Sequence, residues 1–284
     1  MALPNPAFEL TGADLGGPVI LSVPHAGRLY TPEHRAKLRP PAERLIALED
    51  RFVDAVAADA GAPTVIALAP RAWIDLNRHE AEIDPGLVEG AVASRLMMTP
   101  KVRSGLGLIP RRLTGVGEIW RGRLSLREVE QRISEHHRPY HAMLAAQLND
   151  VARNYGVAIL VDLHSMPPLG RTGEADSPQV VIGNRFGHSA APWITARIGA
   201  TCARFGLSWR ENSPYAGGHV VERHGAPAKG VHAVQVELDR ALYLNASLDQ
   251  CDPEKLAFSQ GFVRELIADL GAAALDSGLP LAAE

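Results

Sequence analysis

Val157-Ala158-Ile159-Leu160-Val161-Asp162-Leu163-His164-Ser165 is the stretch on which the reading of this chain turns. Its apolar run is unbroken up to Asp162, the pattern of a strand covered on both faces of a sheet. Asp162 and His164 stand two residues apart, so their side chains leave the same face. Pro167, Pro168 and Gly170 follow at once and stop the strand. In α/β proteins the chemistry gathers where buried strands end, although polar groups at strand ends also serve ordinary turns. The stretch alone therefore gives a buried strand and two readings of His164, a backbone cap or a metal-binding or catalytic group.

Working outward, the same design recurs near the N-terminus. Val19-Ile20-Leu21-Ser22-Val23 reads as a short buried strand that runs into Pro24-His25-Ala26-Gly27. Leu45 to Ala60 reads as a helix closed by Gly61 and Pro63. Thr64 to Ala69 is the next strand, with Asp75-Leu76-Asn77-Arg78 just beyond it. Residues 80–123, rich in Gly and Pro, are expected to form a loop-rich flap. Ser125 to Asn154 reads as the longest helix. Ser125 and Glu128 form its capping box, and Pro139, which lacks an amide donor, is expected to kink it.

The second half continues the alternation. Gln179 to Gly183 is a strand, Ala191 to Phe205 a helix, and Asn212 to His219 a loop around the Gly217-Gly218 pair. Val231 to Leu238 is a strand whose residues 231, 233, 235 and 237 share a face that ends in Glu237. Asp252 and Pro253 open a last helix. Strands alternating with helices predict an α/β fold, a mostly parallel or mixed sheet covered on both faces. Without a repeat or a linker, 1–284 is expected to be a single domain.

Composition narrows the function classes. The net charge of −3 gives no reason to expect a nucleic acid or a membrane surface as partner. Two cysteines, Cys202 and Cys251, leave no disulfide framework and no cysteine-built zinc site. The first residues lack the basic and apolar regions of a signal peptide, and no apolar run approaches the roughly 20 residues of a membrane span. A cytoplasmic protein is the expectation. Eleven histidines exceed what packing asks for and keep a metal in view.

Groups suited to chemistry stand where strands end: His25, Asn77-Arg78, His164 and Glu237. Two imidazoles and a carboxylate leave an open position on zinc, where a water loses its proton near neutral pH. The carboxylate is open on spacing alone, with Glu49, Asp50 and Asp162 as candidates. Arg78 suits a substrate carboxylate through its planar fork, and Asn77 adds an amide donor. A second cationic group would come from Arg111, Arg112 or Arg71. Each has a plainer reading: Arg78 paired with Asp75, Glu237 with Arg240, Gly217-Gly218 as a mere turn, and His136, His137 and His141 as packing within the kinked helix.

In order, Pro24-His25-Ala26-Gly27, Glu49-Asp50, Asp75-Leu76-Asn77-Arg78, His136-His137-Arg138-Pro139-Tyr140-His141, Asp162-Leu163-His164-Ser165, Asn212 to His219 and Gln235-Val236-Glu237-Leu238 form a set that resembles the N-formylglutamate amidohydrolases. That family looks like a distant relative of the zinc carboxypeptidases and aspartoacylases. The resemblance implies a three-layer α/β/α, phosphorylase/hydrolase-like fold and one zinc, or another divalent ion, per chain. It implies His25 and His164 as metal ligands, Glu237 as general base, and Asn77 and Arg78 as carboxylate binders. Arg111, Gly218 and His219 join these in the expected substrate site. The carboxypeptidase pattern has a glutamate three residues after the first histidine, where this chain has Arg28. The family pattern therefore points to Asp50 as third ligand, with Glu49 as the alternative. Asp162 then orients a ligand. The implied reaction, a step of histidine degradation, is hydrolysis of N-formyl-L-glutamate to formate and L-glutamate. The rivals are a related acylase or amidase for another N-acyl amino acid or peptide, and a non-catalytic metal or carboxylate binder on the same scaffold.

Overall fold

All nine residues of Ala158–Met166 are buried, and this strand lies at the middle of a seven-stranded sheet. The computed structural model describes residues 6–170 and 177–276. Its strands in chain order are β1 Phe8–Thr11, β2 Val19–Val23, β3 Thr64–Ala67, β4 Val88–Glu89, β5 Arg112–Leu113, β6 Gly117–Glu118, β7 Leu124–Ser125, β8 Ala158–Met166, β9 Val180–Gly183, β10 Trp209–Glu211 and β11 Val231–Asp239. The large sheet runs β1-β3-β2-β8-β11-β9-β10, while β4 pairs with β7 and β5 with β6.

β8 is parallel to both of its neighbours, β2 and β11, whereas β9 runs antiparallel to β11. The sheet is therefore mixed, and the chain is of the α/β class. β8 is Val/Ile/Leu-rich because a parallel strand with neighbours on both sides has no water-facing side to fill with polar residues. The same holds for β2, which is wholly buried. β11 is also buried over its central seven residues, so no polar face alternates along it.

The described parts of Met1–Glu9, Pro24–Arg51 and Ile66–Ala142 make one compact unit, and those of Leu10–Val23, Phe52–Val65 and Met143–Glu284 make a second. The second unit contains β2, β8, β9, β10 and β11, and the chain passes from one unit to the other within β1 and β3. The stretch 80–123 belongs to the first unit and holds β4, β5, β6 and two short helical turns.

Two helices differ from the sequence expectation. Leu45 to Ala60 is not one helix: a 3-10 segment Ala42–Leu48 and a four-residue helix Val53–Val56 are separated by a break. Glu49 is extended at the break and Phe52 is left-handed at φ 64°. A tertiary bond replaces the helical ladder here, because the Asp50 amide donates to the His25 carbonyl at 3.0 Å. The long helix has both halves of its Ser125–Glu128 capping box. Its irregularity is a π-helical turn, Ile133–His137, lying just before Pro139, with regular helix resuming over Arg138–Tyr155. A wider turn at this place accommodates a ring that cannot donate to the ladder.

Candidate active site

In the first unit the site is built around Asp75, which follows the Pro70–Ile74 turn and is 1 % exposed. Its Oδ1 lies 2.7 Å from His25 Nε2 and accepts from the Asn77 amide at 2.9 Å. Its Oδ2 accepts from Arg71 Nε at 2.8 Å, with Arg78 Nε at 3.8 Å. Burial alone would raise the Asp75 carboxyl. Arg71 first, then His25 and Arg78, overcome that and hold it well below the usual carboxylate range. Asp75 is thus an ionised acceptor, and His25 Nε2 must be the donor to it.

His25 enters from β2 through Pro24 and is 2 % exposed. With Nε2 committed to Asp75, Nδ1 is the ring nitrogen that faces Asp50 Oδ2, at 3.4 Å. Glu49, next in sequence, turns elsewhere: its Oε2 takes Arg51 Nη1 at 2.9 Å. The break in the expected helix explains the division, because extended neighbours point to opposite sides. Burial pushes the Glu49 carboxyl up, with Arg51 opposing the shift.

Arg78 is fixed by two backbone carbonyls, donating from Nε to Leu106 at 3.1 Å and from Nη1 to Asn77 at 3.0 Å. The plainer pairing with Asp75 is present, at 3.8 Å, but Arg78 is not a surface residue and Asp75 takes its short bond from Arg71. Arg111 binds Asp84 through Nε and Glu118 through Nη1, both at 2.7 Å. Arg71 is bound to Asp75, and Arg112 donates to the carbonyls of Ser104 and Arg103.

In the second unit β8 and β11 set the geometry. His164 is 2 % exposed, and its Nε2 lies 2.8 Å from Asp162 Oδ2. The other oxygen of Asp162 accepts from Ser22 Oγ at 2.7 Å, and Ser22 is its partner in the β2 ladder. Asp162 is fully buried and grips the His164 ring from one pleat behind. Across the parallel ladder Glu237 is the register partner of His164. Glu237 Oε1 accepts from Gln235 Nε2 at 2.8 Å, and Gln235 Oε1 accepts from the Gly218 amide at 2.8 Å. Gln235 thereby ties the base candidate to the glycine turn. Gly217 there has φ 108°, a conformation open to glycine and costly for other residues. His219 follows as the first residue of a short helix and is 8 % exposed.

Buried His and Asp side chains of the kind that hold a metal ion are present: His25 and Asp50 in the first unit, His164 in the second. Sequence reasoning missed Asp75 as the partner of His25 and Gln235 as the partner of Glu237. Both had a signal. Asp75-x-Asn77 is the spacing of a side chain that closes a turn on its own backbone, and Gln235 is two residues from Glu237 on one strand face.

A mixed α/β sheet with aspartate-bound histidines near strand ends is a frame on which many chemistries are carried, and the comparisons with known proteins say which. The family model for N-formylglutamate amidohydrolase matches residues 17–244. The N-formylglutamate deformylase of Pseudomonas aeruginosa is 30% identical over 265 residues, covering 89% of this chain and 92% of its own. The Pseudomonas putida enzyme of the same name is 30% identical over 231 residues, covering 80% and 82%. Among solved structures, the N-formylglutamate amidohydrolase from Ralstonia eutropha JMP134 superposes with a TM-score of 0.86 at 27% identity, covering 95% of this chain and 99% of that one. The chain belongs to the N-formylglutamate amidohydrolase family, and it is an enzyme that hydrolyses an amide bond.

Proposed function

We propose that the enzyme hydrolyses N-formyl-L-glutamate to formate and L-glutamate with a divalent metal, zinc by preference, held by His25, Asp50 and His164. One observation carries the metal reading. Each histidine has its Nε2 taken by a buried aspartate, Asp75 for His25 and Asp162 for His164. That arrangement fixes the tautomer and turns Nδ1 into the lone-pair nitrogen, as metal-ligating histidines require. For His25 the nitrogen so presented faces the Asp50 carboxylate. A nitrogen lone pair and a carboxylate oxygen are both atoms that a divalent ion such as zinc binds.

A metal bound there would polarise the acyl carbonyl and acidify a water. Glu237 takes the proton of that water and passes it to the leaving amine. Gln235, by donating to one carboxylate oxygen, keeps Glu237 turned for the task. Arg78 and Asn77 bind one substrate carboxylate. Arg111 binds the other through Nη2, the part of its guanidinium that Asp84 and Glu118 leave over. Gly218 and His219 line the substrate from the glycine turn, and the stretch 80–123 serves as the flap. The relatives' names favour formyl as the acyl group. The test is formate release from N-formyl-L-glutamate beside N-acetyl- and N-succinyl-L-glutamate. A preference for the formyl substrate supports the reading. Faster cleavage of a larger acyl group would place the enzyme with the acylases instead.

A further inference from the structure

Trp73 to Glu80 carries Asn77 and Arg78, and one face of the segment Arg132–His141 holds it at four places. Arg132 Nη1 donates to the Trp73 carbonyl at 3.0 Å. His141 Nε2 lies 2.9 Å from the Leu76 carbonyl, and His137 Nε2 lies 2.9 Å from the Arg78 carbonyl. Arg138 grips the Glu80 carboxylate with Nε and Nη2, at 3.2 and 2.9 Å. A carbonyl only accepts, so both imidazoles donate from Nε2. Both histidines are fully buried, and their rings lie 4.4 Å apart.

Peptide by peptide, the turn is pinned. The Leu76–Asn77 peptide has its carbonyl on His141 and its amide on Asp75 Oδ1. The Asn77–Arg78 carbonyl takes Arg78 Nη1. The Arg78–His79 peptide has its carbonyl on His137 and its amide on Glu82 Oε2 at 2.9 Å. Five of these six backbone groups have a partner, and such dense pairing in an irregular segment restrains where the two side chains emerge. The π-helical turn Ile133–His137 ends on His137 and so shifts the phase of the helix that follows relative to Arg132, while regular helix places His141 one turn beyond His137.

We infer that His137 and His141 are positioning residues for substrate binding: by donating to the carbonyls on either side of Asn77 they hold Asn77 and Arg78 in the geometry that receives a carboxylate. The inference rests on the proposed role of Asn77 and Arg78 as carboxylate binders. A carboxylate presented to a preset pair binds without the cost of ordering it, so the effect should appear in KM.

The test uses amide side chains of two lengths in the full-length, metal-loaded enzyme. The terminal amide of glutamine reaches the place of Nε2, whereas that of asparagine falls short at the place of Nδ1. His137→Asn and His141→Asn should each raise KM for N-formyl-L-glutamate about tenfold, the scale of one lost hydrogen bond, with kcat within about threefold. His137→Gln and His141→Gln should recover most of the loss. On an Arg78→Ala background His141→Asn should add little, because both act through one anchor. Thermal melting is recorded for each variant, so that a general loss of fold is seen as such. If Arg78→Ala raises KM while the asparagine variants leave it unchanged, the positioning role is overturned and the anchor stands. A loss confined to kcat, equal losses for Asn and Gln, or full additivity with Arg78→Ala would also overturn it. If Arg78→Ala itself leaves KM unchanged, the anchor reading fails and takes this inference with it.

Discussion

Glu237 stands in register with His164 and accepts from the Gln235 amide, which makes it the residue whose removal should separate chemistry from binding. Glu237→Gln keeps the size of the side chain and removes the base. Turnover should fall by about 10²- to 10⁴-fold, the usual range for a lost general base, with bound metal unchanged on elemental analysis. Retention of near-normal kcat would remove Glu237 from its role. Arg78→Ala belongs to the same scale. It should lower kcat/KM by about 2 kcal/mol, as for a hydrogen bond to a charged group, chiefly through KM in steady-state kinetics.

Elements show what could be read in advance and what could not. β2 and β8 were legible because burial on both faces leaves a run of β-branched and apolar residues, and β11 because its alternate residues set one face that ends in Glu237. The capping box at Ser125 was legible because it is local. There Ser125→Ala should cost about 1 kcal/mol, the usual loss for an N-cap. Denaturant unfolding would show it, with turnover per folded molecule unchanged. The break at Glu49–Phe52 was not legible. The apolar spacing across 45–60 suits a helix, and only the bond from Asp50 to the His25 carbonyl, made by residues 25 positions apart, overrides it. That override also turns Glu49 toward Arg51 and Asp50 toward His25, a division that spacing in a helix left open. His25 and His164 were legible as strand-end residues. Asp75 was read only as a partner for Arg78, because its tie to His25 spans 50 positions and the local Asp75-x-Asn77 spacing announces only the turn it closes.

At the scale of the whole molecule, the chain crosses between its two units within β1 and β3 and again between Val23 and Pro24, Arg51 and Phe52, and Ala142 and Met143. No single cut separates them, and we propose that they act as one domain and melt in one transition. Acid should weaken that transition early. Burial pulls His34 in the first unit and His224 in the second from the ordinary 6.5 down to about 4. Between pH 6.5 and 4 the unfolded chain takes up these protons and the folded chain does not, so stability falls as pH drops through that window. Asp75 acts lower down: its folded carboxyl lies below the ordinary 3.8, so its contribution is intact above that pH and is lost beneath it. Melting temperatures from pH 7 to 4 should fall steadily, and a flat profile would contradict the histidine assignment.

The claim that joins these scales is that a metal between two aspartate-backed histidines and Asp50 drives hydrolysis. The most direct measurement is formate release from N-formyl-L-glutamate by enzyme stripped with a chelator, then titrated with Zn²⁺ while bound metal is counted. The account predicts that activity disappears with the metal and returns in proportion to it, levelling at one ion per chain. Undiminished formate release from a chain shown to be metal-free would contradict it.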